Sequence, residues 1–381
     1  MAEEEEIAAS PKWKVESPEW LGTTLRGRWK PRSVCARTVL AVIWLSALLL
    51  LAVGSMGVCA KVEADRPVKL IFDTDIGNDI DDAMALAMIH TLADRGEVEL
   101  LAVTVCKDNP WAAVYVDLIN HFYGRSDVPI GAVRNGKTPD DGNFVRAVAE
   151  RKVGGEFVYP RTLKSGKDVS DATTVLRRTL AAQPDGSVVI VSVGFMTNLA
   201  RLLDTPADSI SPLTGRELVK AKVREYVMMA GAFGSSPAPE YNVYIDPPSA
   251  RQVWEQWPTP IVATGYEIGE RILYPAESIE KDFAYVANHP IAEAYRAFSE
   301  MPYDRPTWDL TAVLYAVRPD RGYFGLSPHG RLSLDDSNTT HFSPDEKGAH
   351  RYLTVTTAQI TRIREAFVWM VSAPPVGKCK R

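Results

Sequence analysis

The sequence has few cysteines for its length. Its 381 residues include 4 cysteines, and two of these, Cys35 and Cys59, lie in an N-terminal apolar region. Cys106 ends an apolar run, and Cys379 lies in a basic C-terminal tail. No disulfide framework follows from such a set, so a small fold held together mainly by disulfide bonds is excluded.

The chain also lacks an excess of positive charge. Its formal net charge is −5 at pH 7, with 43 Lys and Arg against 48 Asp and Glu. Proteins that bind nucleic acid normally carry a basic patch or domain, so nucleic acid is not expected as a partner. The sequence shows neither internal repeats nor low-complexity linkers, which favours one folded domain over residues 67–381.

The longest uncharged apolar run lies near the N-terminus. Residues 38–58 carry no charge over 21 positions, and about 20 apolar residues suffice to span a bilayer. Five basic residues and no acidic one lie between Leu25 and Ala60. We therefore expect a cytoplasmic basic region over residues 1–37, a signal peptide or membrane anchor over 38–60, and an extracytoplasmic (periplasmic or secreted) remainder. A cleaved signal and a retained anchor both stay open, and only the anchor would make the membrane a partner.

Strand and helix patterns alternate after this region. Almost continuously apolar runs such as Val98–Val105 are typical of strands buried on both faces, and segments with apolar residues at helical spacing follow them. The alternation predicts an α/β fold, an open and mainly parallel sheet with a Rossmann-like core and helices on its faces. The polar, Gly-rich stretch 134–169 is predicted to be a long loop near the mouth of a site. We predict strands at residues 68–72, 98–105, 128–132, 187–193, 226–230 and 261–264, and helices at residues 81–93, 111–123, 196–203 and 248–257.

An acidic segment follows the first predicted strand directly. It holds five carboxylates in ten residues, namely Asp73, Asp75, Asp79, Asp81 and Asp82. Unpaired carboxylates at this density repel one another, and a hard divalent cation with oxygen ligands would relieve the repulsion. In open α/β sheets, ligands bind beyond the carboxyl ends of the strands, which is where this segment lies. The segment therefore predicts a divalent-cation site.

Other interpretations of the acidic segment have less support. One or two acids would suit a solvated loop that caps a helix, but five exceed that need. An EF-hand loop is excluded, because counting from Asp73 puts Asn78 where glycine is needed and Met84 where glutamate is needed. A phosphohydrolase of the haloacid dehalogenase type would use Asp73 as nucleophile and Asp75 as acid. It stays open, although a second acidic pair six residues on is not expected for it.

The acidic segment also carries a resemblance to a known family. Asp-Thr-Asp-x-Gly from position 73, followed by Asp-Asp-Ala from position 81, resembles the signature of the nucleoside hydrolases, the inosine–uridine- and purine-preferring nucleoside N-ribohydrolases. The commonest signature has one residue between the glycine and the acidic pair, whereas this chain has three, residues 78–80. That departure leaves the role of Asp79 open. Three later segments extend the resemblance over roughly residues 67–317.

Each later segment is similar to a functional segment of that family. Glu240–Pro247 resembles a segment whose Glu and Asn bind ribose hydroxyls, and Ser192–Leu199 resembles one that offers a backbone carbonyl to the metal. Trp308–Ala312 resembles the last metal motif, whose Asp is a calcium ligand. Plain structural interpretations also exist: a helix entry, a strand-to-helix turn and a core aromatic residue, respectively.

The resemblance implies a set of site residues. The implied Ca²⁺ ligands are Asp75, Asp82, Asp309 and the carbonyl of Val193, with Asp75 also the general base, and the implied substrate contacts are Asp81, Asp108 or Asn109, Glu240, Asn242 and Trp308. Many members have a His before the last metal Asp, which is thought to protonate the leaving base. This chain has Trp308 there, which resembles the purine-preferring branch, where Trp stacks on the base. A second departure is Gly234, where the inosine–uridine type has a sugar-binding Asn.

The resemblance therefore implies an enzyme of nucleoside catabolism or purine salvage. It would hydrolyse the N-glycosidic bond of a ribonucleoside, by expectation a purine one, to free base and ribose with Ca²⁺ as cofactor. The partner is a small nucleoside, and a homo-oligomer, dimer or tetramer, is left open. Two alternatives stay open: a Ca²⁺-dependent nucleoside- or sugar-binding protein without turnover, and the phosphohydrolase that would use Asp73 and Asp75.

Overall fold

The computed structural model of the chain describes residues 66–234 and 238–376. The basic region and signal or anchor predicted over residues 1–60, together with Cys379, lie outside the described residues. Within the described ranges, no helix is both long enough and apolar enough to cross a membrane. Cys106 lies buried in a strand as a free thiol.

The described residues alternate between strands and helices. The strands are β1 Val68–Thr74, β2 Val98–Lys107, β3 Ile130–Lys137, β4 Lys152–Val153, β5 Glu156–Phe157, β6 Ser170–Asp171, β7 Val188–Ser192, β8 Val223–Met229, β9 Ile261–Thr264, β10 Leu273–Tyr274, β11 Arg305–Pro306, β12 Gly325–Leu326, β13 Gly330–Leu334, β14 Thr340–Pro344 and β15 His350–Thr354. The α-helices are α1 Asp81–Asp94, α2 Ala112–Phe122, α3 Val145–Ala149, α4 Ala172–Ala181, α5 Thr197–Leu203, α6 Gly215–Lys222, α7 Tyr241–Ile245, α8 Pro247–Gln256, α9 Tyr266–Gly269, α10 Ala276–Lys281, α11 Pro290–Phe298, α12 Trp308–Val317 and α13 Thr357–Val371. Short 3-10 helices lie at Gly166–Asp168 and Pro319–Arg321.

Most strands belong to one sheet with the order β14-β13-β15-β9-β8-β7-β1-β2-β3-β6, and β12 pairs with β15. The pairs from β15–β9 through to β3–β6 are all parallel. The edge formed by β12, β13 and β14 is antiparallel. The predicted open, mainly parallel α/β sheet with flanking helices is confirmed. Its antiparallel edge was not predicted, because the chain after residue 317 offers no clear pattern.

The direction of strand order changes at β1. From this central strand, β2, β3 and β6 extend to one side and β7, β8 and β9 to the other. Residues 70–72 of β1 are fully buried, as expected for a strand with parallel neighbours and covered faces. Such a switch point, at the carboxyl ends of the strands, is where open α/β sheets bind ligands. The acidic segment begins at this point.

The long loop predicted over residues 134–169 is wrong in part. β3 continues to Lys137, and the segment also holds α3, the β4–β5 hairpin and a 3-10 helix. A polar, Gly-rich composition indicates a surface position but does not exclude short elements, and α3 is anchored by the buried Val145 and Val148. The segment packs on the acidic segment, since a Cβ at Gly142 would lie 2.1 Å from the Gly77 carbonyl oxygen.

Candidate active site

A cavity of about 300 Å³ opens beyond the carboxyl ends of β1, β7 and β8. This volume is at the lower end of the usual range for small-molecule sites. The lining is strongly acidic, and the aspartates in it are Asp75, Asp79, Asp81, Asp82 and Asp309. The predicted gathering of distant acids at the open end of the sheet is therefore present in the structure.

Two helix N-termini bring three of these acids together. Asp81 and Asp82 begin α1, and Asp309 lies in the first turn of α12. Oδ2 of Asp81 accepts hydrogen bonds from the backbone N–H groups of Trp308, at 3.0 Å, and Asp309, at 3.1 Å. Helix N-termini favour negative charge, so each acid lies where the helix dipole stabilises it. As a result, one carboxylate oxygen from each of Asp81, Asp82 and Asp309 lies within 4.8 Å of the others.

The acids cannot all ionise easily without a cation. Burial raises the pKa of Asp75 to about 6. Burial, and then repulsion by neighbouring carboxylates, holds the pKa values of Asp82 and Asp309 well above their usual range. A cluster of buried oxygen ligands that repel one another fits a hard divalent cation. Such a cation would attract each carboxylate and so offset the repulsion among them.

Asp73 lies outside the cavity lining. Its Oδ1 accepts hydrogen bonds from the Thr104 hydroxyl at 2.6 Å and from the Asn198 side-chain amide at 2.8 Å, inside the sheet. Burial raises its pKa to about 7. A nucleophile must face its substrate, so the phosphohydrolase that would use Asp73 and Asp75 is not favoured.

Glu240 and Asn242 also line the cavity, and both form hydrogen bonds to the neighbouring backbone. Glu240 caps α7, with Oε1 accepting from the Asn242 N–H at 3.0 Å and Oε2 from the Gly231 N–H at 3.1 Å. The Asn242 side-chain amide donates to the Val193 carbonyl at 2.9 Å and to the Met229 carbonyl at 3.1 Å. Val193 is thereby placed in the lining with its carbonyl oxygen held in position.

An aromatic wall completes the cavity. It consists of Tyr241, Tyr266 and Trp308. The Trp308 and Tyr266 rings stack with centroids 5.5 Å apart and planes 27° apart, and Trp308 Nε1 donates to the Tyr266 carbonyl at 2.9 Å. Trp308 is partly exposed and lines the cavity, and it also packs on the core.

The structure does not bring Asp108 or Asn109 into the cavity lining. Oδ2 of Asp108 accepts from the Gly136 N–H at 2.9 Å. The Asn109 side-chain amide donates to the carbonyls of Pro139 and Asp140, each at 3.0 Å. Asp108 therefore holds the end of β3 and Asn109 the segment that follows it, and the predicted sugar contact at this place stays a prediction without support from the cavity.

Sequence reasoning missed several residues of the site. Asp79, whose role was open, forms an ion pair with Arg305, and the Arg305 Nε lies 3.0 Å from Asp79 Oδ1. This pair ties the acidic segment to the chain just before α12. Lys107, at the end of β2, is buried beneath the same segment. A polar residue that ends an apolar strand was the available signal for Lys107, whereas no local signal marked the Asp79–Arg305 pair.

Known proteins resemble the chain over most of the described region. The sequence profile of the inosine-uridine preferring nucleoside hydrolases matches residues 70–366. An inosine-uridine preferring nucleoside hydrolase of Leishmania major is 27% identical over 271 residues, which cover 66% of this chain and 80% of that protein. A pyrimidine-specific ribonucleoside hydrolase of Escherichia coli is 25% identical over 270 residues, with 66% and 79% covered. The fold matches that of a plant nucleoside hydrolase with a TM-score of 0.60 at 20% identity, covering 81% of this chain and 100% of that one.

Proposed function

Because the chain belongs to the inosine-uridine preferring nucleoside hydrolase family, we propose that its acidic cluster binds Ca²⁺ for the hydrolysis of purine ribonucleosides. Membership of the family makes the protein a ribonucleoside N-ribohydrolase. The Ca²⁺, the purine preference and the roles of single residues are the proposal. The observation that carries it is the meeting of the acidic segment and Asp309 of α12 with an aromatic wall around one cavity.

In this proposal, Asp75, Asp82, Asp309 and the Val193 carbonyl would hold the cation. Asp81 lies close to the same oxygens, but its Oδ2 already accepts two backbone hydrogen bonds at the start of α12. Ca²⁺ takes about 6–8 oxygen ligands in flexible geometry, which leaves positions for water and ribose hydroxyls beyond those the protein fills. Mg²⁺ demands a stricter octahedron and suits this set less well. When bound, the cation supplies Lewis-acid chemistry that orients water and makes it a better nucleophile at neutral pH.

The protein's own groups carry the remaining roles. Asp75 takes the proton of the attacking water as general base. Glu240 and Asn242 orient the ribose hydroxyls through contacts that strengthen as the sugar gains positive charge, as in glycosidases. The backbone hydrogen bonds that fix both side chains support this role, because a preorganised contact needs no rearrangement during the reaction.

Stacking on Trp308 would hold the base. Replacing Trp308 by alanine is expected to lower kcat/KM for inosine by about 10- to 100-fold, the usual cost of losing an aromatic stacking partner for a base. The loss should be smaller for uridine, whose ring is smaller, and Trp308→Phe should keep most of the activity. Steady-state assays of ribose release from both nucleosides measure this. Equal losses for inosine and uridine would instead identify Trp308 as a core aromatic residue.

A substrate screen tests the proposed function. Purified protein with Ca²⁺ is incubated with inosine, adenosine, guanosine, uridine and cytidine, and reducing-sugar release is measured. We expect release from the purine nucleosides, loss of release with a chelator, and recovery on adding Ca²⁺. Calorimetric binding of inosine without ribose release would favour a binding protein over the enzyme.

The dependence of Ca²⁺ binding on pH follows from the raised carboxylate pKa values. A carboxylate with a raised pKa in the folded state destabilises the metal-free protein as pH rises, since ionising it becomes costly. Ca²⁺ binds the ionised form and removes this cost, so the increase in thermal midpoint caused by Ca²⁺ should grow from about pH 5 to about pH 8. Scanning calorimetry with Ca²⁺ and with chelator gives that difference at each pH.

Comparing samples with and without Ca²⁺ separates the effect of the carboxylates at the site from that of other groups that titrate in the same pH range. Burial lowers the pKa of His90 to about 3 and that of His350 to about 4. Both histidines therefore make the fold more stable as pH rises towards neutrality, and they do so equally in both samples. A Ca²⁺ effect that stayed constant or shrank with rising pH would contradict the carboxylate site.

A further inference from the structure

A buried lysine reaches the proposed general base through one amide. Lys107 ends β2 with its side chain 0% exposed. Its Nζ donates to Asn78 Oδ1 at 2.6 Å, and Asn78 Nδ2 donates to Asp75 Oδ2 at 2.7 Å. The three side chains form a continuous hydrogen-bonded chain from an ammonium group to a carboxylate.

Charge dictates the orientation of the amide in this chain. An ammonium group offers only donors and an ionised carboxylate only acceptors. The Asn78 amide therefore satisfies both neighbours only with its oxygen towards Lys107 and its nitrogen towards Asp75. Both hydrogen bonds are assisted by charge, which makes them shorter and stronger than neutral ones.

The surrounding chain leaves room for Lys107 and fixes it. Gly77 has a φ of +112°, and a Cβ there would lie 3.3 Å from both Cδ and Cε of Lys107. The lysine stem thus crosses the space that the glycine leaves free. Its Nζ also donates to the Thr138 carbonyl at 2.9 Å and lies 3.6 Å from Asp140 Oδ2. These partners leave the ammonium little freedom to move.

We propose that Asn78, held by Lys107, is a positioning residue that fixes the Asp75 carboxylate for its work. The inference rests on the proposed function, in which Asp75 is base and metal ligand. Asn78 binds one oxygen of Asp75, which leaves the other free to face the cavity. Asn78 is among the three residues that separate the glycine from the acidic pair in this chain, where the commonest family signature has one. The contact between Asn78 and Asp75 is therefore a feature of acidic segments that have three residues at this place.

Two substitutions of Asn78 separate positioning from a merely structural role. Asn78→Ala removes the contact to Asp75 but leaves Lys107 its contacts with Thr138 and Asp140. Asn78→Asp keeps an acceptor for Lys107 and turns a second carboxylate towards Asp75. Asn143→Ala is the matched control, since Asn143 donates to the Phe298 carbonyl and does not line the cavity. Each variant is measured for kcat and KM with inosine at saturating Ca²⁺ and for thermal midpoint.

We expect Asn78→Ala to lower kcat by about 10- to 100-fold, the usual cost of losing a group that orients a ligand of the metal. KM should change little, because Asn78 lines the cavity but its amide oxygen is taken up by Lys107 and its amide nitrogen by Asp75. Asn78→Asp should lose at least as much kcat while its thermal midpoint matches or exceeds that of Asn78→Ala. Wild-type kcat in either variant, or a loss confined to KM or thermal stability, would overturn the proposal.

A double variant and a binding measurement complete the test. If Asn78 and Lys107 act as one unit, the total loss of kcat in the double variant Asn78→Ala/Lys107→Met should be much smaller than the product of the two single losses. A total loss equal to that product would count against the pair. A wild type that releases no ribose from any nucleoside refutes the proposed function. In that case the Ca²⁺ affinity of Asn78→Ala, measured by calorimetry, tests the role of Asn78 without a turnover assay. An affinity about tenfold below wild type supports the positioning role, and an unchanged affinity overturns it.

Discussion

Replacing Asp75 by alanine is expected to lower kcat for inosine hydrolysis by about 10³-fold or more. In the proposed mechanism this side chain both accepts the proton of water and holds the cation, so two contributions are lost together. The fold should survive the change, since burial raises the pKa of Asp75 to about 6 and ionising it already costs stability. Ribose release measures the loss, and circular dichroism with thermal melting shows whether the variant is folded.

The control for this variant is a carboxylate far from the cavity. Asp185 is 78% exposed and pairs with Lys222 at the surface. Asp185→Ala should keep wild-type kcat, because exposed ion pairs contribute little even to stability. Turnover retained in folded Asp75→Ala would remove Asp75 from the reaction and with it the proposed mechanism.

Replacing Asp309 by asparagine is expected to separate activity from stability. Asp309 shares its cluster with Asp81 and Asp82, and without a cation the repulsion among these buried carboxylates destabilises the fold. Removing one charge should therefore raise the thermal midpoint of chelator-treated protein. The same change removes a cation ligand, and activity should fall by about 10³-fold because the cation contributes several kcal/mol to the transition state. Gains in stability at the expense of activity are typical of functional sites.

Parallel melting and activity measurements on Asp309→Asn check this. The exposed Asp320 lies just beyond the end of the same helix, and Asp320→Asn should change neither quantity. A lower melting temperature of metal-free Asp309→Asn, or full activity with Ca²⁺, would show that Asp309 is an ordinary structural acid.

The sheet could be predicted because each central strand carries its own signal. Strands such as β1, β2 and β7 are buried on both faces and are therefore apolar almost throughout, and their helices repeat apolar residues at the helical period. The cation site in the acidic segment could be predicted equally well, since five carboxylates in ten residues repel one another unless a cation binds them. Placing it at the open end of the sheet needed only the rule that binding sites follow the carboxyl ends of strands.

The unpredicted parts of the site depend on partners far apart in the chain. Asp79 meets Arg305 across 226 positions, and no local pattern links them. Lys107 looks like the polar end of a strand until Asn78 is seen beside it. Asn109 has the residue type expected of a sugar contact, yet its amide is taken up by backbone carbonyls that only the folded loop supplies. Tertiary contacts determine the role of each of these residues, so residue type alone could not predict it.

Crystals of the protein grown with Ca²⁺ test the central claim most directly. Anomalous diffraction should show one ion in the cavity, with oxygens of Asp75, Asp82, Asp309 and Val193 at about 2.3–2.6 Å. An ion held by these groups would establish the proposed calcium site at the mouth of the sheet. A cavity without an ion at saturating Ca²⁺, or an ion bound elsewhere, would contradict the account.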